Sequence, residues 1–166
     1  MKPSLRKFMV GACLCFLAGA LNAAELHVGD TPVLPAVRSI DGKTIDAAAL
    51  RGKVLVVSYF SSGCPFCMNE APKLQKLYRE NRDKLTVIGV NIERNDPEQR
   101  AKTERWIAKY KLSYPVTTDF SAFENAFGRL KGLPVNQVFD KNGKALRIDI
   151  GEIFDEDFDD IARLAR

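Results

Sequence analysis

The segment from Lys53 to Pro72 constrains the fold of this chain most narrowly, because it joins a buried strand to a helix through two closely spaced cysteines. The run KVLVVSYF is apolar on both faces and rich in β-branched and aromatic residues, which is typical of a central strand. Cys64 and Cys67 follow this run, and Pro65 between them suits the first position of a helix. The pattern predicts a strand that ends beside a helix N-terminus carrying two thiols.

The rest of the chain predicts further strands and helices in alternation. A helix with an apolar stripe that includes Cys67 should follow the cysteines, and Pro72 should kink it. A small N-terminal hairpin should turn at Asp41–Gly42, and Asn142–Gly143 is a strong hairpin signal near the C-terminus. The order β-α-β-α-(β)-α-β-β-α indicates an α/β fold with a central mixed sheet flanked by helices. The other predicted elements are a strand at Lys84–Glu93, a short strand in SYPVTTD, helices with capping boxes at Asp96–Gln99 and Ser121–Glu124, and a final helix in DEDFDDIARLAR.

Residues 1–24 have the composition of a secretory signal. A short positive region, MKPSLRK, precedes the apolar run FMVGACLCFLAGAL, and small residues follow where a signal peptidase would cleave. The apolar run is short for a transmembrane helix, although an uncleaved anchor stays open as an alternative. The sequence therefore predicts that residues 1–24 are removed, Cys13 and Cys15 with them, and that residues 25–166 form one domain in an oxidising compartment, the periplasm.

Composition and charge exclude several classes of protein. The chain is 46% hydrophobic and 28% charged, which is ordinary for a globular domain and argues against disorder. Its net charge of +4 comes mostly from Lys2, Arg6 and Lys7, within a segment that holds no acid. The predicted mature domain is therefore close to neutral, and nothing in it suggests a nucleic-acid surface.

Three roles are open for Cys64 and Cys67. A structural zinc site needs four ligands, and the predicted mature chain offers only this pair and His27. A structural disulfide across so short a loop would stabilise the fold little. A thiol at a helix N-terminus has a lowered pKa, and a more shielded thiol one turn later can resolve a mixed disulfide. The strand–turn–helix context favours this redox role.

Three segments carry a resemblance to a known family: VLVVSYFSSGCPFCMNEAPKLQKLY, LTVIGVNIE and GLPVNQVFDKNGKALRIDIG. Together they resemble the thioredoxin superfamily and, within it, the exported TlpA/ResA-like thiol-disulfide oxidoreductases. The resemblance extends from about Val28 to the C-terminus. It implies a thioredoxin fold with an N-terminal β extension and an inserted helix.

The resemblance also implies roles for individual residues. Cys64 corresponds to the nucleophile, Cys67 to the resolving thiol, and Glu70 to a carboxylate that takes the proton of Cys67, although an exposed helix acid is the alternative for Glu70. Pro134 corresponds to the family's cis-proline, which would hold the backbone of Leu133 beside the disulfide for pairing with a substrate strand. The alternative is that Pro134 starts an edge strand.

The sequence departs from the family pattern around the first cysteine. Gly63 stands where thioredoxin-like motifs usually have tryptophan, which removes a flat apolar surface beside the sulfur. Pro65 and Phe66, between the cysteines, are expected to contact substrate and to tune the redox potential. Because Phe66 offers neither charge nor a hydrogen bond to the Cys64 thiolate, we expect only a moderate lowering of its pKa.

The function that the resemblance implies is reduction of disulfides in exported client proteins, through a cycle of the Cys64–Cys67 dithiol and disulfide. A membrane-embedded thiol donor would restore the dithiol. Neither a metal nor a cofactor beyond this disulfide is expected, and the protein should be a monomer. Two alternatives remain: a disulfide oxidant or isomerase with the same site, and a copper-binding chaperone that uses the two thiolates for Cu(I).

Overall fold

The computed structural model of the protein describes residues 25–46 and 50–166, so the predicted signal segment lies outside the described residues. Within them, the chain forms an α/β domain with a five-stranded mixed sheet and four helices. The predicted fold class is therefore confirmed. None of the helices in this part of the chain has the length and apolar character needed to cross a membrane.

The central sheet has the strand order β5-β4-β3-β6-β7, and the strands β1 and β2 form a separate antiparallel hairpin. Strands β3, β4 and β5 run parallel, whereas β6 is antiparallel to both β3 and β7. The predicted N-terminal and C-terminal hairpins are both present. The strands are β1 Val37–Arg38, β2 Thr44–Ile45, β3 Val54–Phe60, β4 Leu85–Asn91, β5 Val116–Thr117, β6 Val135–Phe139 and β7 Ala145–Ile150.

Helices cover both faces of this sheet, and their bounds are α1 Pro65–Asn81, α2 Pro97–Tyr110, α3 Phe120–Phe127 and α4 Asp155–Leu164. Side chains of α1, α2 and α4 share one apolar core with the sheet, and α3 packs into a second core on the other face. All seven residues of β3 and of β4 are buried, as their largely apolar runs predict. In β4, a Cβ at Gly89 would lie 3.2 Å from the ring of Tyr114, so a side chain there would require this ring to shift by a few tenths of an ångström.

The helix caps confirm one prediction from the sequence and correct two. Asp96 caps α2 by accepting a hydrogen bond from the backbone N–H of Gln99 (2.9 Å). The Gln99 side chain does not complete a capping box, because its buried Oε1 has no partner in the described part of the chain. The cap of α3 is Asp119 and not Ser121. The Asp119 carboxylate accepts from Ala122 N (3.4 Å), and the Ser121 hydroxyl donates to the same carboxylate (3.1 Å) from within the first turn.

The topology brings three segments together at one end of the sheet. Strand β3 ends at Phe60, just before the cysteines, and its antiparallel neighbour β6 begins at that same end, with Val135 opposite Tyr59. The peptide bond between Leu133 and Pro134 is cis, as the resemblance to the thioredoxin superfamily implies. The end of β7 joins them, because Gly151 N donates a hydrogen bond to the Pro134 carbonyl (2.8 Å).

Candidate active site

Cys64 and Cys67 form a disulfide at the N-terminus of α1, with their Cα atoms 5.3 Å apart. Cys64 is the N-cap residue, and its sulfur accepts a hydrogen bond from the backbone N–H of Cys67 (3.2 Å). Cys67 is only 2% exposed, whereas Cys64 is half-buried. This is the asymmetry that disulfide exchange requires, because an incoming thiol or disulfide can reach one sulfur far more easily than the other.

A tight turn between β3 and α1 presents these sulfurs. Cys64 N donates to the Ser61 carbonyl (3.2 Å), and Pro65 takes the first helical position, where a missing N–H costs no hydrogen bond. Gly63 is exposed in this turn, and a Cβ added there would meet no atom within 4 Å. The surface on which the family usually places a tryptophan is therefore open.

The other residues predicted to face substrate lie at this same end of the sheet. Pro134 lines a small cavity together with Cys67. Leu133 is half-buried and packs against the apolar cores on both faces of the sheet. Pro65 is exposed, and Phe66, two residues after the half-buried Cys64, is 54% exposed. Contact of these residues with a substrate stays a prediction.

Glu70 is one turn beyond Cys67 and is 1% exposed, so the interpretation of this residue as an exposed helix acid is wrong. Asn136 Nδ2, at the second position of β6, donates a hydrogen bond of 2.7 Å to Glu70 Oε1. Burial raises the pKa of Glu70 to about 7, against the opposing effects of this hydrogen bond and of the backbone N–H of Ile153. The negative charges of Glu152 and Asp149 raise this pKa further.

The position of Glu70 suits proton exchange with Cys67. Both side chains line the same cavity, which has a volume of about 10 Å³. A carboxyl group with a pKa of about 7 can take up and return a proton near neutral pH with little driving force in either direction. The site therefore combines an accessible sulfur, a shielded sulfur and a buried proton acceptor.

Sequence reasoning missed Glu93, which lies just after β4 and holds the turn that carries Cys64. Its carboxylate accepts hydrogen bonds from Ser62 N (3.0 Å), from Ser62 Oγ (2.8 Å to Oε2) and from Asn91 Nδ2 (3.0 Å). Partial burial works against the charge of Glu93, but these hydrogen bonds outweigh it and lower the pKa of the carboxyl. No local signal could have found this contact, because 31 residues separate Ser62 from Glu93.

Among the described residues, no group of three or more His, Cys, Asp and Glu side chains is arranged to hold a metal ion. The side chain of His27, the histidine that the zinc and copper alternatives would need, is 72% exposed and lies 3.7 Å from the carboxylate of Asp30.

Comparison with known proteins adds relatives with recorded activities. The sequence pattern of the Redoxin family matches residues 27–163. The thiol-disulfide oxidoreductase ResA of Halalkalibacterium halodurans is 25% identical over 142 residues, which is 84% of this chain and 78% of that protein. The thioredoxin-like protein YneN of Bacillus subtilis is 24% identical over 160 residues, 89% of this chain and 91% of that protein.

Solved structures share the fold. A thiol:disulfide interchange protein of the thioredoxin family from Chlorobium tepidum TLS superposes with a TM-score of 0.71 at 24% identity, covering 86% of this chain and 99% of that one. A secreted thiol-disulfide isomerase from Corynebacterium glutamicum gives a TM-score of 0.69 at 20% identity, covering 86% and 97%. At these identities, the comparisons establish the thioredoxin fold.

Proposed function

We propose that this protein works in the periplasm as a reductase of disulfides in exported client proteins. The proposal starts from the family, since the chain belongs to the Redoxin family and is a TlpA/ResA-like thiol-disulfide oxidoreductase. The observation that carries the proposal is the unequal exposure of the two sulfurs above a buried acid. Cys64 is half-buried, Cys67 is 2% exposed, and Glu70 lines the cavity beneath Cys67.

The chemistry proceeds in two exchange steps. The Cys64 thiolate attacks a client disulfide, forms a mixed disulfide and releases the first client sulfur as a thiolate. Glu70 then takes the proton of Cys67, and the resulting Cys67 thiolate attacks the Cys64 sulfur and releases the second client thiolate. Two electrons pass to the client, and the protein is left with the Cys64–Cys67 disulfide. A membrane-embedded thiol donor restores the dithiol.

The reducing direction is supported by the residues between the cysteines. Pro65 and Phe66 provide no charged or hydrogen-bonding side chain that would stabilise a Cys64 thiolate. Strong oxidants of this fold have a high redox potential because their reduced form is stabilised. A site that does not stabilise its thiolate in this way should have a lower redox potential. The exposed ring of Phe66 and the half-buried Leu133 offer an apolar surface on which a client segment can rest.

The exported location is supported by the composition of residues 1–24, with their positive region and apolar run. The structurally similar protein from Corynebacterium glutamicum is described as secreted. The partners in this proposal are disulfide-containing proteins and a membrane-embedded thiol donor, without nucleic acid, and the protein acts as a monomer.

The test is the equilibrium redox potential of the Cys64–Cys67 pair against glutathione. A reductase should have a value near about −270 mV, as thioredoxin has. A value near about −120 mV, at the strongly oxidising end, would reverse the direction and make the protein an oxidant of exported thiols. Equilibration must use residues 25–166, so that Cys13 and Cys15 do not contribute.

A further inference from the structure

Two buried oxygen atoms at the contact between Glu70 and Asn136 have no hydrogen-bond partner in the described part of the chain. They are Glu70 Oε2 and Asn136 Oδ1. Their partner atoms in the same two groups do form a hydrogen bond, because Asn136 Nδ2 donates to Glu70 Oε1 over 2.7 Å. Glu70 is 1% exposed and Asn136 is fully buried. Two buried acceptors without a donor are costly, and each such group calls for an explanation.

A bridging water explains this arrangement poorly. The cavity beside Glu70 has a volume of about 10 Å³, enough for no more than one water molecule, and Asn136 is not among the residues that line it. A single proton on Glu70 explains it fully, because the carboxyl O–H then donates while the amide oxygen accepts. A protonated acid and an amide are complementary in this way, since each can present one donor and one acceptor to the other.

We propose that in the disulfide form Glu70 is protonated and forms a cyclic pair with Asn136, in which Asn136 Nδ2 donates to Glu70 Oε1 and the Glu70 Oε2–H donates to Asn136 Oδ1. Asn136 is then a positioning residue, because it acts on the reaction through Glu70. The inference rests on the proposed function only in the origin of the proton.

The bound proton is the one that Cys67 loses during resolution. Cys67–SH, the Glu70 carboxylate and the mixed disulfide become the Cys64–Cys67 disulfide, protonated Glu70 and a client thiolate, so atoms and charge balance. When a thiol donor later attacks the disulfide, Glu70 returns this proton to the departing Cys67 sulfur. Between the loss of this proton by Cys67 and its return, Cys67 is part of the disulfide and cannot hold it. During that time the amide of Asn136 stabilises the protonated carboxyl group.

Among the groups that surround Glu70, the backbone N–H of Ile153 also donates toward the carboxyl group and favours its charged form. Glu70 Oε2 nevertheless makes no hydrogen bond in the described part of the chain. Glu152 and Asp149 are acids, which oppose its ionisation. Lys73 on α1 is committed to Asp155, with 2.9 Å between Nζ and Oδ1. The phenol of Tyr114 is buried, and burial together with the charge of Glu70 raises its pKa. In the disulfide form, Cys67 carries no proton at all. The neighbourhood thus favours the protonated acid.

The decisive experiment is NMR of the disulfide form of residues 25–166, with ¹³C in the side-chain carbonyl and carboxyl groups, across pH 5 to 9. The Glu70 carboxyl resonance, assigned by its loss in Glu70→Gln, should titrate with a midpoint near 7. The Asn136 side-chain carbonyl should shift with the same midpoint, because its donor disappears on ionisation. Below the midpoint, a slowly exchanging carboxyl proton should show contacts to the Asn136 side chain.

Two variants distinguish the effect of the cyclic pair on Glu70 from the effect of burial alone. In Asn136→Leu the carboxyl proton should exchange with water at least tenfold faster, because its acceptor is gone. Gln137→Leu is the matched control, since Gln137 is a buried amide on the same strand that bonds Tyr59 instead (2.9 Å), and it should leave the Glu70 signals unchanged. If Asn136→Leu does not fold, the titration of the Asn136 carbonyl in the unsubstituted protein decides alone.

The proposal is overturned if Glu70 is ionised throughout this pH range, or if the Asn136 carbonyl does not respond to its titration. Neither result depends on the direction of electron flow, because no client or thiol donor is present in the sample. A failure of the proposed reductase would appear in the redox potential, whereas a failure of the cyclic pair would appear only in these spectra.

Discussion

The burial of Glu70 should make the protein less stable as the pH rises from 4.5 to 7.5. Its pKa is about 7 in the folded protein, against an ordinary value of 4.5. A group whose pKa is raised by folding contributes full stability below its unfolded pKa, and this contribution is lost as the pH rises through the folded pKa. A rise of this size corresponds to about 3 kcal/mol, at about 1.4 kcal/mol per pH unit.

The assay is urea-induced unfolding of the disulfide form at closely spaced pH values, with Glu70→Gln as the reference. Glutamine is neutral at every pH, so the difference in unfolding free energy between the two proteins isolates the ionisation of Glu70. Glu70→Gln should gain about 3 kcal/mol relative to the unsubstituted protein between pH 4.5 and 7.5. Glutamine can also donate to Asn136 Oδ1 through its own amide, which preserves the packing.

Other carboxyl groups do not obscure this window. The pKa of Asp157 is lowered by its hydrogen bond to Arg147, and that of Asp140 by the backbone N–H of Lys144. Their contributions are lost as the pH falls below the ordinary carboxyl range, which is the opposite direction, and they cancel in the difference. A difference that stays constant from pH 4.5 to 7.5 would refute the reasoning, because it would mean that Glu70 ionises normally in the folded protein.

Three further predictions concern the reaction itself. In Cys67→Ser, mixed disulfides with clients should accumulate at Cys64 and be visible on non-reducing gels. Cys64→Ser is the control and should trap none. If Cys67→Ser also traps no client, the two-step exchange is contradicted. Glu93→Gln should lower the unfolding free energy by roughly 1–2 kcal/mol and slow client reduction, because the turn that carries Cys64 loses a charged hydrogen-bond acceptor. The control is Glu98→Gln, at an exposed position, which should change neither quantity. Phe66→Ala should raise the KM for a protein disulfide, because an exposed apolar ring is lost, with little change in the potential, because alanine adds no hydrogen bond to the Cys64 thiolate. An unchanged KM would remove Phe66 from the client surface.

Much of the fold could be predicted because its signals are local. The fully buried strands β3 and β4 appear in the sequence as largely apolar runs. Asn142–Gly143 predicts the C-terminal hairpin. The cysteine turn is equally local, since Pro65 and the spacing of Cys64 and Cys67 place both sulfurs at a helix start. The start of α3 was predicted two residues late, because Asp119 and Ser121 are both good capping residues and only the folded turn selects between them.

The contacts that adjust the chemistry of the site were beyond prediction because they join distant parts of the chain. Asn136 lies 66 residues from Glu70, on a strand whose register against β3 decides which side chains face α1. A shift of one residue would point Gln137 at Glu70 and turn Asn136 to the other face of the sheet. Even with the correct strands, the sequence therefore leaves open whether Glu70 is exposed or buried.

The unfavourable burial of Glu70 makes physical sense only together with the reaction. An apolar residue at this position would avoid the loss of about 3 kcal/mol near neutral pH, which is a sizeable part of the stability of a domain of this size. An exposed glutamate would avoid it as well, but with an ordinary pKa near 4.5 it would be a poor base for a thiol at neutral pH. Burial beneath Cys67 brings the proton affinity of the carboxyl closer to that of the thiol. The Asn136 amide then offers a donor and an acceptor, so that the carboxyl group can be accommodated both with and without the proton. The same desolvation that weakens the fold thus makes Glu70 suitable for a proton transfer that must run in both directions during each redox cycle.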